Sequence, residues 1–142
     1  MKTAGYVLLS GVIAIGLAVL LNHAVTAWLP CQGEGLSCSM DGIVGFVVTL
    51  AIGGIATVVF GVVAFVRPNV RAVNIAGALL MLPAAAVLVM TMNDIALLRD
   101  GAPWYWREYQ KLLQISAPPA VAVIMQWLAL ALFVRGRATV AA

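Results

Sequence analysis

The stretch from Gly42 to Val66 reads GIVGFVVTLAIGGIATVVFGVVAFV, and no charged side chain interrupts it. Its 25 apolar or small residues make a helix about 37 Å long at 1.5 Å per residue. That length crosses a hydrocarbon core of roughly 30 Å with some tilt. A water-facing helix of this length carries a polar stripe, and this one has none. The run stops at Arg67-Pro68-Asn69-Val70-Arg71, and another long apolar run follows. The fold class is therefore an all-α membrane protein.

Composition points the same way. The 142 residues are 64% hydrophobic and 9% charged, where soluble domains carry about 25% charge. The mean hydropathy is +1.09. The net charge of +3 comes from isolated residues beside apolar runs, with no basic cluster. That placement sets membrane topology and does not suggest a nucleic-acid partner.

Working outward from the central run, the sequence predicts a single domain over 1–142. It is an antiparallel bundle of four transmembrane helices, at about 5–29, 42–66, 72–92 and 118–134. Two outer connections fall at 30–41 and 93–117, and the second holds a short amphipathic segment. Lys2 followed by apolar Tyr6 to Trp28 resembles a signal sequence. The run is too long for a signal core, so it reads as an uncleaved helix. Pro30 closes that helix and Trp28 anchors its end at the interface.

Small residues mark the packing faces. Ser10, Ala14, Ala18 and Asn22 recur every fourth position in the first span, and Gly45, Thr49, Gly53, Thr57 and Gly61 do so in the second. Residues four apart share a helix face, and small ones let another backbone approach closely. The pattern predicts a tight seam, either within the chain or between copies. Pro83 predicts a kink in the third span, and Asn74 lies near that span's inner end. Pro118 or Pro119 suits the first turn of the fourth span. Gln126 is buried by depth, beside Trp127.

Charge sets the sidedness. With four crossings, Lys2, Arg67, Arg71, Arg135 and Arg137 fall on one side with no acid. Glu34, Asp41, Asp94, Asp100 and Glu108 share the other side with Arg99, Arg107 and Lys111. Positive loops stay in the cytoplasm. Both termini are expected inside a bacterial-type inner membrane, and both long loops outside. Cys31 and Cys38 then face an oxidising compartment, and a structural disulfide is the expectation. A redox pair usually wants the closer CxxC spacing, and metal-binding thiols would need reduction.

The candidate ligand contacts are His23, Asn22, Trp104 and Trp106. His23 is the sole histidine, and an intramembrane histidine is a functional candidate. Alone it makes a poor metal site. The alternative is an interfacial side chain bonded to lipid or to a loop carboxylate. Trp104 to Leu113 can lie at the outer interface with its aromatics among headgroups. No GxSxG, HExxH, CxxCH or phosphate-binding glycine loop is present. No ionisable residue lies at mid-depth, which weighs against proton-coupled transport.

Four spans with internal termini, and Trp28 three residues before Cys31 with Cys38 following, resemble the claudin-like layout. The connection at 30–41 is far too short for that family's extracellular sheet, so the resemblance implies nothing about function. The leading expectation is a non-enzymatic accessory, assembly or scaffold subunit of a larger membrane complex, with lipids and other membrane subunits as partners. The alternative is a small lipid- or quinone-binding or transport protein with its site near the outer end of the first span. A membrane thiol–disulfide enzyme is third. No catalytic residue, metal or obligate cofactor is predicted; quinone or lipid is the ligand class left open.

Overall fold

A computed structural model describes residues 2–28, 36–97 and 104–140. The side chains of residues 2, 28, 36–41, 87–88, 90–97, 104–114 and 138–140 lie outside that description. Four helices follow one another: α1 (Lys2–Trp28), α2 (Leu36–Val66), α3 (Val70–Leu97) and α4 (Trp104–Val140). No strand occurs among the described residues.

α2 starts after the Gly33 and Gly35 region and takes in Leu36 to Asp41, read above as loop. Neither proline nor glycine interrupts that hexapeptide, so the helix extends past its apolar part. Its other end falls at Val66, ahead of Pro68, which cannot continue the ladder. The turn is compact. Asn69 Oδ1 accepts the Arg71 amide at 3.0 Å and caps α3, satisfying one of its orphan donors.

The outer amphipathic segment is not a separate element. Residues 104–113 are the first turns of α4, which runs through Pro118 and Pro119 as one 37-residue helix about 55 Å long. Each proline forfeits one ladder bond. Both rings are almost fully buried in the bundle, and that packing holds the helix together where local preference would start a new one.

Among the described residues three helices are long and apolar enough to cross a membrane, over Thr3–Ala27, Gly42–Val66 and Ile115–Arg137. α3 carries a shorter apolar stretch among the described residues, Val70–Ala86. α1 and α2 are antiparallel. The Cβ position of Gly61 lies 3.6 Å from Val7, that of Gly53 lies 2.6 Å from Ile15, and that of Gly42 lies 3.6 Å from Thr26.

The helix order is a rhombus. α2 and α4 pack on each other along the short diagonal. α1 lies against both on one side, and α3 lies on the other side, chiefly against α4. α1 and α3 do not touch among the described residues. The core is built where α2 and α4 meet, from Ala56, Phe60 and Ala64 against Val123, Leu130 and Val134, with Val7, Val73 and Ala76 closing the sides. Leu8, Val12, Leu20, Val58, Val62 and Leu132 point outward, as expected where acyl chains are the solvent.

Candidate functional site: polar contacts inside the bundle and a cleft at the end that holds both termini

The row on α2 faces its own chain. Gly45, Thr49 and Gly53 are buried, and Thr57 and Gly61 are half-buried. Thr49 Oγ1 donates to the Gly45 carbonyl at 2.6 Å and Thr57 Oγ1 to the Gly53 carbonyl at 2.8 Å. Each hydroxyl hydrogen is thus returned to its own helix, and the row presents methyls and bare backbone except where the Thr57 oxygen faces Gln126. α1 lies along it with Val7, Gly11 and Ile15. Among the α1 residues, Ala14 and Ala18 are buried, so small side chains meet small side chains.

A polar junction sits at mid-depth. Gln126 is the central residue of the Ile115–Arg137 span, and it is almost fully buried. Its Oε1 lies 3.2 Å from Thr57 Oγ1. One hydroxyl has one hydrogen, and the shorter bond to Gly53 takes it. The amide is then best oriented with its NH₂ toward Thr57, donating to the hydroxyl oxygen. That pairs the amide donor, which is orphaned in the opposite orientation. The amide oxygen comes to rest beside Gly11, whose α-hydrogens are weak donors. A Cβ on Gly11 would stand 2.5 Å from Thr57 Oγ1. Glycine is required there by close approach.

Three further bonds tie helix to helix. Asn22 Nδ2 donates to the Gly42 carbonyl at 3.3 Å, joining α1 to α2. Tyr6 Oη donates to the Ala129 carbonyl at 3.2 Å, joining α1 to α4. Trp127 Nε1 donates to Asn74 Oδ1 at 2.9 Å, joining α4 to α3. Beside that last bond a Cβ on Gly77 would enter the Trp127 ring. Interhelical bonds in membranes average about 0.6 kcal/mol, so they select the register more than they hold the bundle together.

Two of the candidate ligand residues, Asn22 and His23, have described side chains. Asn22 is buried, whereas His23 is exposed on the outer face of α1. Consecutive helical residues point about 100° apart, so one turns inward and the other outward. The side chains of Trp104 and Trp106 lie outside the described residues, as does Cys31. Cys38 is placed only by its backbone, in the first turn of α2. Pro83 lies inside α3 on an exposed face. Among the described residues no three His, Cys, Asp or Glu side chains converge on a point. The polar groups that do converge, Thr57 with Gln126, cannot ionise at neutral pH and make no nucleophile–base pair.

A second feature lies at the end of the bundle where α1 begins and the α2–α3 turn sits. Thr3, Ala64, Pro68, Phe133, Val134 and Arg137 line a cleft of about 230 Å³. Phe133 stacks on Tyr6 with centroids 4.2 Å apart and planes 13° from parallel. The Arg137 guanidinium lies 4.6 Å from the Phe133 ring centroid. Sequence reasoning passed over Gly11, Gly77, Tyr6 and Phe133. A lone glycine outside a repeating row, or an aromatic near a span end, carries no signal until its neighbour on another helix is known.

These features define a multi-pass helical membrane protein whose buried polar side chains close its own helix contacts. No protein-family model, curated protein or solved structure matches the chain.

Proposed function

We propose that the chain is a non-enzymatic accessory or scaffold subunit of a larger membrane complex, crossing the bilayer four times with both termini in the cytoplasm. The supporting observation is the parting of α2 and α3. These helices are consecutive and joined by a tight turn, yet they touch only sparsely. Ala76 is buried, while Pro83, seven residues on and so on the same side of α3, is exposed. Leu79, Leu82 and Val89 are exposed on the same half of the helix.

Lipid covers exposed leucine at no cost. It cannot serve the backbone at this point. Pro83 has no amide hydrogen for the Leu79 carbonyl, and hydrocarbon offers no other donor. A neighbouring helix supplying a hydroxyl or amide, packed against Leu79 and Leu82, answers both needs. The four-span topology has its own support. α3 packs along α4, and the turn between α2 and α3 carries Arg67 and Arg71 at the end where α4 carries Arg135 and Arg137.

Purification from native membranes in mild detergent tests the proposal. A stoichiometric companion is expected to travel with the chain. Leu82→Trp is expected to disperse the particle while helix content is unchanged. Leu20→Trp, on the opposite side, is expected to leave it intact. A strictly monomeric wild-type particle contradicts the reading.

A further inference from the structure

We infer that the inner-end cleft binds the phosphate of an anionic phospholipid, with Arg137 as its principal ligand. The inference rests on the cytoplasmic placement of this end proposed above, and not on the scaffold role. The cleft is amphipathic: its walls are Ala64, Pro68, Phe133 and Val134, and Thr3 and Arg137 supply its polar groups. Apolar walls with a cation suit an amphiphile. They do little for a fully hydrated free anion, which loses water to such walls without compensation.

The cation is held in place. Tyr6 is tied to the α4 backbone through Ala129 and stacks on Phe133, and Phe133 carries the guanidinium on its face. A guanidinium lying against a ring keeps its edge N–H groups free to grip two phosphate oxygens together. Thr3 adds a hydroxyl from the first turn of α1, where backbone amides have no intrahelical partner.

The field around the cleft has one sign. Lys2, Arg67, Arg71 and Arg135 belong to the same end of the helices. All five Asp and Glu residues belong to the other two connections or the helix ends beside them. The cleft also lies at headgroup depth. Arg137 closes the Ile115–Arg137 span, and Thr3 opens Thr3–Ala27. Basic pockets between membrane helices on the cytoplasmic side recognise anionic headgroups by this chemistry.

The full chain in nanodiscs of phosphatidylcholine with graded phosphatidylglycerol provides the test, with retained lipid counted by native mass spectrometry. One phosphatidylglycerol is expected to stay bound. Arg137→Ala is expected to weaken its retention about tenfold, the effect of one charge-assisted bond pair. Phe133→Leu, which keeps every charge, is expected to weaken it several-fold. Arg71→Ala, which removes the same net charge from the exposed start of α3, is expected to change it less than twofold. Circular dichroism checks that each variant is folded, and Thr3→Val gives a second, milder reading of the cleft. Equal losses in Arg137→Ala and Arg71→Ala would mean diffuse attraction and would overturn the site. So would displacement of the lipid by excess soluble glycerol phosphate, or equal retention of phosphatidylcholine.

Discussion

Gly77→Leu is expected to separate α3 from α4 and to lower the stability of the bundle by about 1–3 kcal/mol or more, the range for forced overpacking. Even a methyl at this position enters the Trp127 ring, and a ring cannot yield like the end of a flexible chain. Trp127 must swing away, and its bond to Asn74 goes with it. The loss falls on one interface, because α3 has little hold on α2 and none on α1 among the described residues. Gly54→Leu adds the same hydrocarbon to a glycine with nothing within 4 Å, and it is expected to be near neutral. Unfolding in mixed micelles, followed by circular dichroism, measures both. Equal effects would mean that Gly77 does not face Trp127.

Gly11→Leu is expected to be comparably severe, through a different pair of interfaces. Its Cβ would fall 2.5 and 2.8 Å from Thr57 Oγ1 and Cγ2, and 3.1 Å from the Gln126 amide atom that faces Gly11. It therefore pushes α1 away from α2 and α4 together, at the depth where Gln126 is buried. Gly16→Leu, on the same helix with nothing within 4 Å, is expected to be tolerated. The smaller change Gly11→Ala gives the sharper reading. It is expected to cost about 1–3 kcal/mol alone, and Thr57→Ala in the same chain is expected to recover most of that by removing both clashing atoms. Such coupling is the mark of residues in direct contact. Additive losses in the double variant would place the two residues apart.

How much of this is legible in the sequence differs from residue to residue. The span from Gly42 to Val66 can be read from composition alone, because hydrocarbon tolerates no charge over 25 residues. The row from Gly45 to Gly61 shows that something packs closely on α2. It cannot show what, because a shallow groove accepts any small-faced helix. The helix order is hidden for the same reason.

Pro118 and Pro119 mislead in a more specific way. Local preference puts proline in the first turn of a helix. Here burial against neighbouring helices outweighs that preference, fourteen and fifteen residues past Trp104. The polar run Leu36 to Asp41 reads as loop by hydropathy, but hydropathy reports depth in the membrane and not helicity. Gly11 and Gly77 could not be singled out. Their meaning lies in Thr57 and Trp127, which are 46 and 50 residues away by number. Asn22 and His23 are adjacent along the chain, yet a helix turns one inward and the other outward.

The bundle depends on α1 of the same chain covering the small-residue row of α2. Gly53 offers the most direct measurement, because its Cβ position lies 3.8 Å from Ile15 Cβ, the mean Cβ separation in a disulfide. In a chain with Cys31 and Cys38 replaced by serine, Ile15→Cys together with Gly53→Cys is expected to oxidise to an intramolecular cross-link in native membranes. It should run as a monomer on a denaturing gel and revert on reduction. A cross-linked dimer would place another chain along this face, and no cross-link at all would place α1 away from it; either result would contradict the helix arrangement described above.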